Sequence, residues 1–278
     1  MHYKWLDHLA VAVKSREEAT ATYKNILGMQ LEWEGQSDGT GIYQAFFHME
    51  DGHFLALIEP MSPTNAVGRA VESRGEGFYV VSLAIDSKAD AIKELEANGV
   101  RLLYTDSTTG PAFVHPRSAN GMLIQLAERA GDHMPPRESN VPPEADTIDY
   151  KWIDHLVLAV NNVEQATATY RDNLGMTLDH TGESEALGLK QAFFRMDNGR
   201  LLELAEPVAD TSNPVRRALE RRGEGVYLVA LAVGDLAQTV DSLKARGAQI
   251  IGDGAQGGQV FIHPRSTHGV LYQLVQRD

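Results

Sequence analysis

The chain repeats itself. Tyr3-Lys4-Trp5-Leu6-Asp7-His8-Leu9 returns as Tyr150-Lys151-Trp152-Ile153-Asp154-His155-Leu156, an offset of 147 residues. Ala19 to Tyr23 returns as Ala166 to Tyr170, and Gln44-Ala45-Phe46-Phe47 as Gln191-Ala192-Phe193-Phe194. Arg74-Gly75-Glu76-Gly77 and His115-Pro116-Arg117-Ser118 return at an offset of 148, as Arg222 to Gly225 and His263 to Ser266. A duplication this complete, with one inserted residue, means two copies of one fold, so a residue kept in one copy and lost in the other is visible without any other sequence. The expected organisation is a first domain over 1–130, a Pro-rich linker over 131–147 carrying Pro135, Pro136, Pro142 and Pro143, and a second domain over 148–278.

Each copy contains a fainter repeat. Leu6 to Val13 reads as a strand, and Ser15-Arg16-Glu17-Glu18 opens a helix with a capping box that Gly28 closes. Tyr79 to Ile85 reads as a second strand, with a helix from Ser87 to Gly99. The second copy follows with Asn162/Gln165 and Gly175, then Asp235/Gln238 and Gly247. The stretches after each helix alternate like strands around Asp51-Gly52, Asn120-Gly121, Asn198-Gly199 and His268-Gly269, which read as tight hairpin turns. The pattern predicts an α+β chain of four βαβββ modules.

Composition narrows the chemistry. There is no cysteine, which removes disulfides, thiolate nucleophiles and Cys-ligated metal sites. The net charge of −13 disfavours nucleic acid and anionic membranes, and no apolar run is long enough to span a bilayer. A cytoplasmic setting is expected. No nucleotide-binding Gly-rich loop, His-Glu-x-x-His or nucleophile elbow occurs.

Asp-His-Leu-Ala-Val-Ala-Val, a helix ending in Leu-Gly-Met, a strand ending in Glu-Pro, Arg-Gly-Glu-Gly, Phe-Val-His-Pro-Arg-Ser and Gly-Met-Leu-Ile-Gln-Leu together resemble the vicinal oxygen chelate superfamily. That superfamily includes glyoxalase I, methylmalonyl-CoA epimerase, extradiol dioxygenases and the bleomycin- or fosfomycin-resistance proteins, and the epimerases are the nearest in flavour. The resemblance implies two tandem domains, each a curved mixed sheet forming a cup with helices outside. It further implies a divalent ion (Mn, Co, Ni, Zn, Mg or Fe) held by four inward positions in each cup. The first copy places His8, Ala56, Val80 and Gln125 there; the second places His155, Glu203, Leu228 and Gln273. The spacing from each turn glycine to the last strand of its module agrees with that placement, being four residues from Gly52 to Ala56, Gly121 to Gln125, Gly199 to Glu203 and Gly269 to Gln273.

Two of the four first-copy positions offer no donor, so His8 and Gln125 are expected to hydrogen-bond in a polar cup or touch a ligand. His155, Glu203 and Gln273 form the expected metal set, with Glu203 either ligand or catalytic base; alternatively Glu203 accepts hydrogen bonds from His155 and Gln273 in a metal-free pocket. Leu228 stands where the family commonly has a second His, and Gln273 where it usually has Glu. Gln44 and Gln191 line the cup or lie on a solvated strand face. Glu32 and Asp179 fall near where the epimerases place an acidic base. His115 and His263 are expected to stabilise turns, and Arg117 and Arg265 either meet a ligand phosphate or are solvated. The resemblance implies an isomerase, epimerase or lyase abstracting a proton beside a carbonyl, with a small carbonyl or acyl-thioester substrate. The alternatives are a non-catalytic binding protein of the resistance type and an extradiol-type dioxygenase. A fused dimer should be a monomer that mimics a dimer, or a homodimer of such chains.

Overall fold

Near-continuous runs of Val, Leu, Ile and Ala open both modules of each half, as strands covered on both faces require. A computed structural model of the chain describes residues 1–103, 110–131, 146–208, 212–252 and 259–278. The expected linker lies largely outside those residues. In the first half the strands are β1 (Tyr3–Ala12), β2 (Gln30–Ser37), β3 (Ile42–His48), β4 (Phe54–Pro60), β5 (Gly77–Ile85), β6 (Leu102–Leu103), β7 (Ala112–Val114) and β8 (Ile124–Glu128). Its helices are α1 (Arg16–Ala21), α2 (Ala66–Arg74) and α3 (Lys88–Ala97). The second half repeats them as β9 (Tyr150–Ala159), α4 (Val163–Ala168), β10 (Thr177–Ser184), β11 (Leu189–Arg195), β12 (Leu201–Pro207), α5 (Pro214–Arg222), β13 (Gly225–Val233), α6 (Leu236–Ala245), β14 (Ile250–Ile251), β15 (Val260–Ile262) and β16 (Tyr272–Gln276). The fold is α+β: four βαβββ modules in two eight-stranded mixed sheets, ordered β2-β3-β4-β1-β5-β8-β7-β6 and β10-β11-β12-β9-β13-β16-β15-β14. No helix among the described residues is long and apolar enough to cross a membrane.

The caps form as the sequence predicts. Ser15, Ser87, Asn162 and Asp235 each accept the backbone N–H three residues on, satisfying a donor that the helix start leaves open. Gly28, Gly99, Gly175 and Gly247 all take positive φ at the far ends. Three features depart from the expectation. After α1 and α4 the chain widens into a π turn, over Thr22–Ile26 and Thr169–Asn173, before the closing glycine. Helices α2 and α5 join the modules, capped by Asn65 and Asn213 and ended at Gly75 and Gly223. Asn120-Gly121 and His268-Gly269 are not two-residue hairpins. They follow the short 3-10 turns Pro116–Ser118 and Pro264–Ser266, with positive φ at both residues of each pair, inside longer connections to β8 and β16.

Each sheet belongs to one half of the sequence, whereas the two compact units draw on both halves. The first unit comprises Met1–Asp7, Val80–His133 and His155–Tyr227; the second comprises His8–Tyr79, Met134–Asp154 and Leu228–Asp278. Within the first unit, Asp197 and Asn198 N–H donate to the carbonyls of Tyr3 and Lys4, Tyr3 Oη donates to Leu174 O at 2.8 Å, and Tyr170 Oη to Ala119 O at 3.0 Å. The second unit repeats the scheme: Glu50 and Asp51 N–H donate to Tyr150 and Lys151 carbonyls, and Tyr150 Oη to Leu27 O at 2.8 Å. These hydroxyls are wholly buried, and pairing each one removes the cost of an unmet polar group. Ion pairs recur as well. Arg129 grips the buried Asp7 with two bonds of 2.6 and 2.9 Å, and Arg277 grips Asp154 with two of 2.7 and 2.9 Å.

Candidate functional site

Three polar side chains of the second half meet on one sheet face within the first unit. Strands β9 and β12 run parallel with His155 opposite Leu201, so Glu203, two residues further along β12, shares the face of His155. Strand β11 runs antiparallel to β12 with Phe193 opposite Glu203 and Gln191 opposite Ala205, so Gln191 lies diagonally beside Glu203 on that face. Gln191 Nε2 donates to Glu203 Oε1 at 2.6 Å. The glutamate is only 8% exposed. Burial raises its carboxyl pKa above the ordinary value; the bond from Gln191 and the charge of His155 pull the other way without cancelling it. Glu203 is therefore a sequestered carboxylate with enhanced proton affinity, oriented by one amide donor. That is the state in which a carboxylate serves as a general base.

Of the expected metal set, His155 and Glu203 lie in the first unit, and Gln273, on β16 opposite Phe261, belongs to the second. Among the described residues no three His, Cys, Asp or Glu side chains come together to hold a metal ion. A resident divalent ion wants three or more convergent donors, mostly imidazole and carboxylate. With Val80 apolar and Gln125 a neutral amide at the other expected positions of that unit, one imidazole and a carboxylate whose Oε1 already accepts an amide proton make a poor fit.

The remaining residues have clear places. Leu228 and Val80 are buried apolar side chains on β13 and β5, at 6% and 7% exposure. Gln125 sits half-buried on β8, opposite Ser82 and Phe113. His8 on β1 and Ala56 on β4 fall in the second unit, where Ala56 is buried opposite Phe46. Gln44, the counterpart of Gln191, has Ala56 where Gln191 has Glu203, and its amide has no internal partner among the described residues. His115 and His263 accept the backbone N–H of Arg117 and Arg265 at 3.0 Å, capping the short 3-10 turns. Asp179 lies beside the β-bulge of β10, held by Arg195 at 2.7 Å and His180 at 2.8 Å. Those two partners lower its pKa to about 2, which makes it a weak proton acceptor at neutral pH. The Gln191–Glu203 bond was the element that sequence reasoning missed. Its signal was the Gln-Ala-Phe-Phe repeat facing Glu in one copy and Ala in the other.

A family model described as the Glyoxalase/Bleomycin resistance protein/Dioxygenase superfamily matches residues 7–115 and again 154–262. The uncharacterized protein YqjC of Bacillus subtilis is 33% identical over 129 residues, spanning 45% of this chain and 91% of that protein. An ethylmalonyl-CoA/methylmalonyl-CoA epimerase of Cereibacter sphaeroides is 30% identical over 131 residues, spanning 45% of this chain and 96% of that enzyme. Among solved structures, a mutant 4-hydroxymandelate synthase from Streptomyces coelicolor superposes with a TM-score of 0.75 at 17% identity, covering 100% of this chain and 94% of its own. At that identity the likeness is one of fold.

Proposed function

We propose, for a chain that belongs to the glyoxalase/bleomycin resistance protein/dioxygenase superfamily, that its second half catalyses proton transfer at the carbon beside a carbonyl, as an isomerase, epimerase or lyase of a small carbonyl or acyl-thioester substrate. Glu203 is the base. In its ionised form it takes the α-proton: the C–H bond breaks, the carboxyl O–H forms, and the electron pair moves onto the carbonyl oxygen as an enolate. Delivery of a proton from water to the opposite face of the carbon, with collapse of the enolate to the carbonyl, completes an epimerisation; collapse of the enolate with expulsion of a β-substituent, which leaves with its bonding pair, completes an elimination. Gln191 fixes the rotamer of the carboxylate, and His155 supplies polar character where the enolate oxygen would develop charge. The observation that carries this reading is the buried, proton-avid Glu203 bonded to Gln191 on the face of His155. The epimerase named among the relatives gives the first substrates to try.

The test is α-carbon deuterium exchange in D2O with methylmalonyl-CoA, ethylmalonyl-CoA and simpler acyl thioesters, followed by mass spectrometry. The wild-type protein should exchange at least one of them, and Glu203→Gln should lose about 10²-fold or more of the rate. Exchange that survives Glu203→Gln unchanged, or no exchange on any substrate, would overturn the reading. The dioxygenase alternative is less favoured, because both positions at which that chemistry needs an imidazole, Val80 in the first unit and Leu228 in the second, hold buried apolar side chains.

A further inference from the structure

The same sheet face in the first half has lost its carboxylate and gained rings. We infer that it is a binding site for a neutral, planar aromatic small molecule bearing a carbonyl oxygen. Four rings run along this face inside the second unit. His8 stacks on Phe54 at 4.7 Å between centroids and 9° between planes. Phe54 meets Phe46 at 5.1 Å and 60°, and Phe46 meets Trp33 at 5.2 Å and 23°. Strand register puts them together: His8 lies opposite Phe54, Phe46 opposite Ala56, and Trp33 opposite Phe46. Counterparts in the second half are His155, Leu201, Phe193 and His180, where Leu201 stands in place of the Phe54 ring, His180 stacks on Phe193, and Glu203 replaces Ala56. One copy thus presents the buried acid Glu203, and the other, with Ala56 in its place, a run of four contacting rings.

Two details point to an occupant. Trp33, the largest ring of the series, is an exposed residue at 43%. The indole occupies the space above Gly35: a Cβ there would come within 2.2 Å of the ring, while the matching Gly182 has nothing within 4 Å. Glycine at 35 therefore leaves room for the indole over the strand. Gly35 in turn lies opposite Gln44, whose amide lacks the carboxylate that Gln191 binds. An aromatic platform edged by a neutral amide that has no partner among the described residues suits a flat ring system with one hydrogen-bonding oxygen. An offset stack on Trp33 and Phe46 would supply the affinity, and the Gln44 N–H would supply the orientation.

Coumarin, planar and neutral with a lactone carbonyl, is the probe. Calorimetric titration into the full chain should show one site per chain, and its non-aromatic analogue δ-valerolactone should not bind. Trp33→Ala should weaken coumarin binding about tenfold or more, and Trp33→Phe should stay within about threefold of wild type. Ala56→Glu, which restores the second-half pattern and gives Gln44 an internal partner, should weaken it comparably. Glu203→Gln should leave it unchanged, which separates this site from the proton-transfer reading. Circular dichroism melts of the variants monitor folding. Absence of coumarin binding at millimolar concentration, indifference to both Trp33→Ala and Ala56→Glu, or loss of the site in Glu203→Gln would each overturn the inference.

Discussion

Removing one partner of the Asp7–Arg129 pair should cost very different amounts depending on which partner goes. Asp7 has no exposed side-chain surface, whereas Arg129 is 43% exposed, and two bonds of 2.6 and 2.9 Å join them. In Arg129→Met the carboxylate stays buried with its guanidinium gone, and stripping a buried charge of its counter-ion costs about 3–5 kcal/mol. In Asp7→Asn the guanidinium turns back to water and the amide oxygen still accepts one hydrogen bond, so the loss is nearer a single charged hydrogen bond, about 1–2 kcal/mol. Urea unfolding at pH 7 and 0.15 M salt, read as midpoint and slope, measures both. Arg129→Met should be the less stable variant by at least about 1 kcal/mol, with an unchanged slope. Equal losses, or a larger loss in Asp7→Asn, would refute the claim that desolvation of the carboxylate dominates this pair. The second copy offers a replicate: Asp154 is 8% exposed and Arg277 46%.

Three further outcomes follow. Burial raises the Glu203 pKa, so its folded state favours the protonated acid; the resulting stabilisation is complete below the ordinary carboxyl range and is lost as pH rises through the raised value. Glu203→Gln should accordingly match or exceed wild-type stability at pH 7, with the gap closing near pH 4 in thermal melts. At Gly121 (φ +84) a Cβ would sit 1.9 Å from the Glu224 carbonyl oxygen, while at Gly99 (φ +75) it would meet nothing. Gly121→Ala should cost about 2–5 kcal/mol in denaturant unfolding and Gly99→Ala about 1–2 kcal/mol, because only the first adds a backbone clash to the positive-φ strain. His268 holds φ +51 and bonds Glu76 at 3.0 Å and Thr22 at 3.1 Å, in the place that Asn120 takes beside Glu224. His268→Asn should be tolerated within about 1 kcal/mol, and His268→Val should lose about 2 kcal/mol or more, since a β-branched residue resists that backbone.

The repeat made the modules legible, because strand, capped helix and strands recur with side chains whose local chemistry is unambiguous. Ser15, Ser87, Asn162 and Asp235 cap through bonds three residues long, which need no tertiary information. Helices α2 and α5 escaped because a repeat of strand, helix and strands leaves no place for a helix that joins two modules; Asn65 and Asn213 before them, with Gly75 and Gly223 after, were the available signals. The tight-turn reading of Asn120-Gly121 and His268-Gly269 identified the positive-φ pairs but not the 3-10 turns ahead of them. At the site, the four-residue step from Gly199 picked out Glu203, and strand parity puts it on the face of His155. The bond from Gln191 depends on how β11 registers against β12, and a sequence does not display diagonal cross-strand neighbours. The aromatic run of the first half was hidden for the same reason: Trp33, Phe46, Phe54 and His8 come from four strands and meet only once the register is set.

The most direct measurement is the initial rate of α-proton exchange on methylmalonyl-CoA, ethylmalonyl-CoA or another acyl thioester, compared between the wild-type chain and Glu203→Gln at matched folded concentration. The account predicts measurable washout of the α-proton by the wild type and a rate about 10²-fold lower or less in the variant. Equal rates in the two proteins would contradict it.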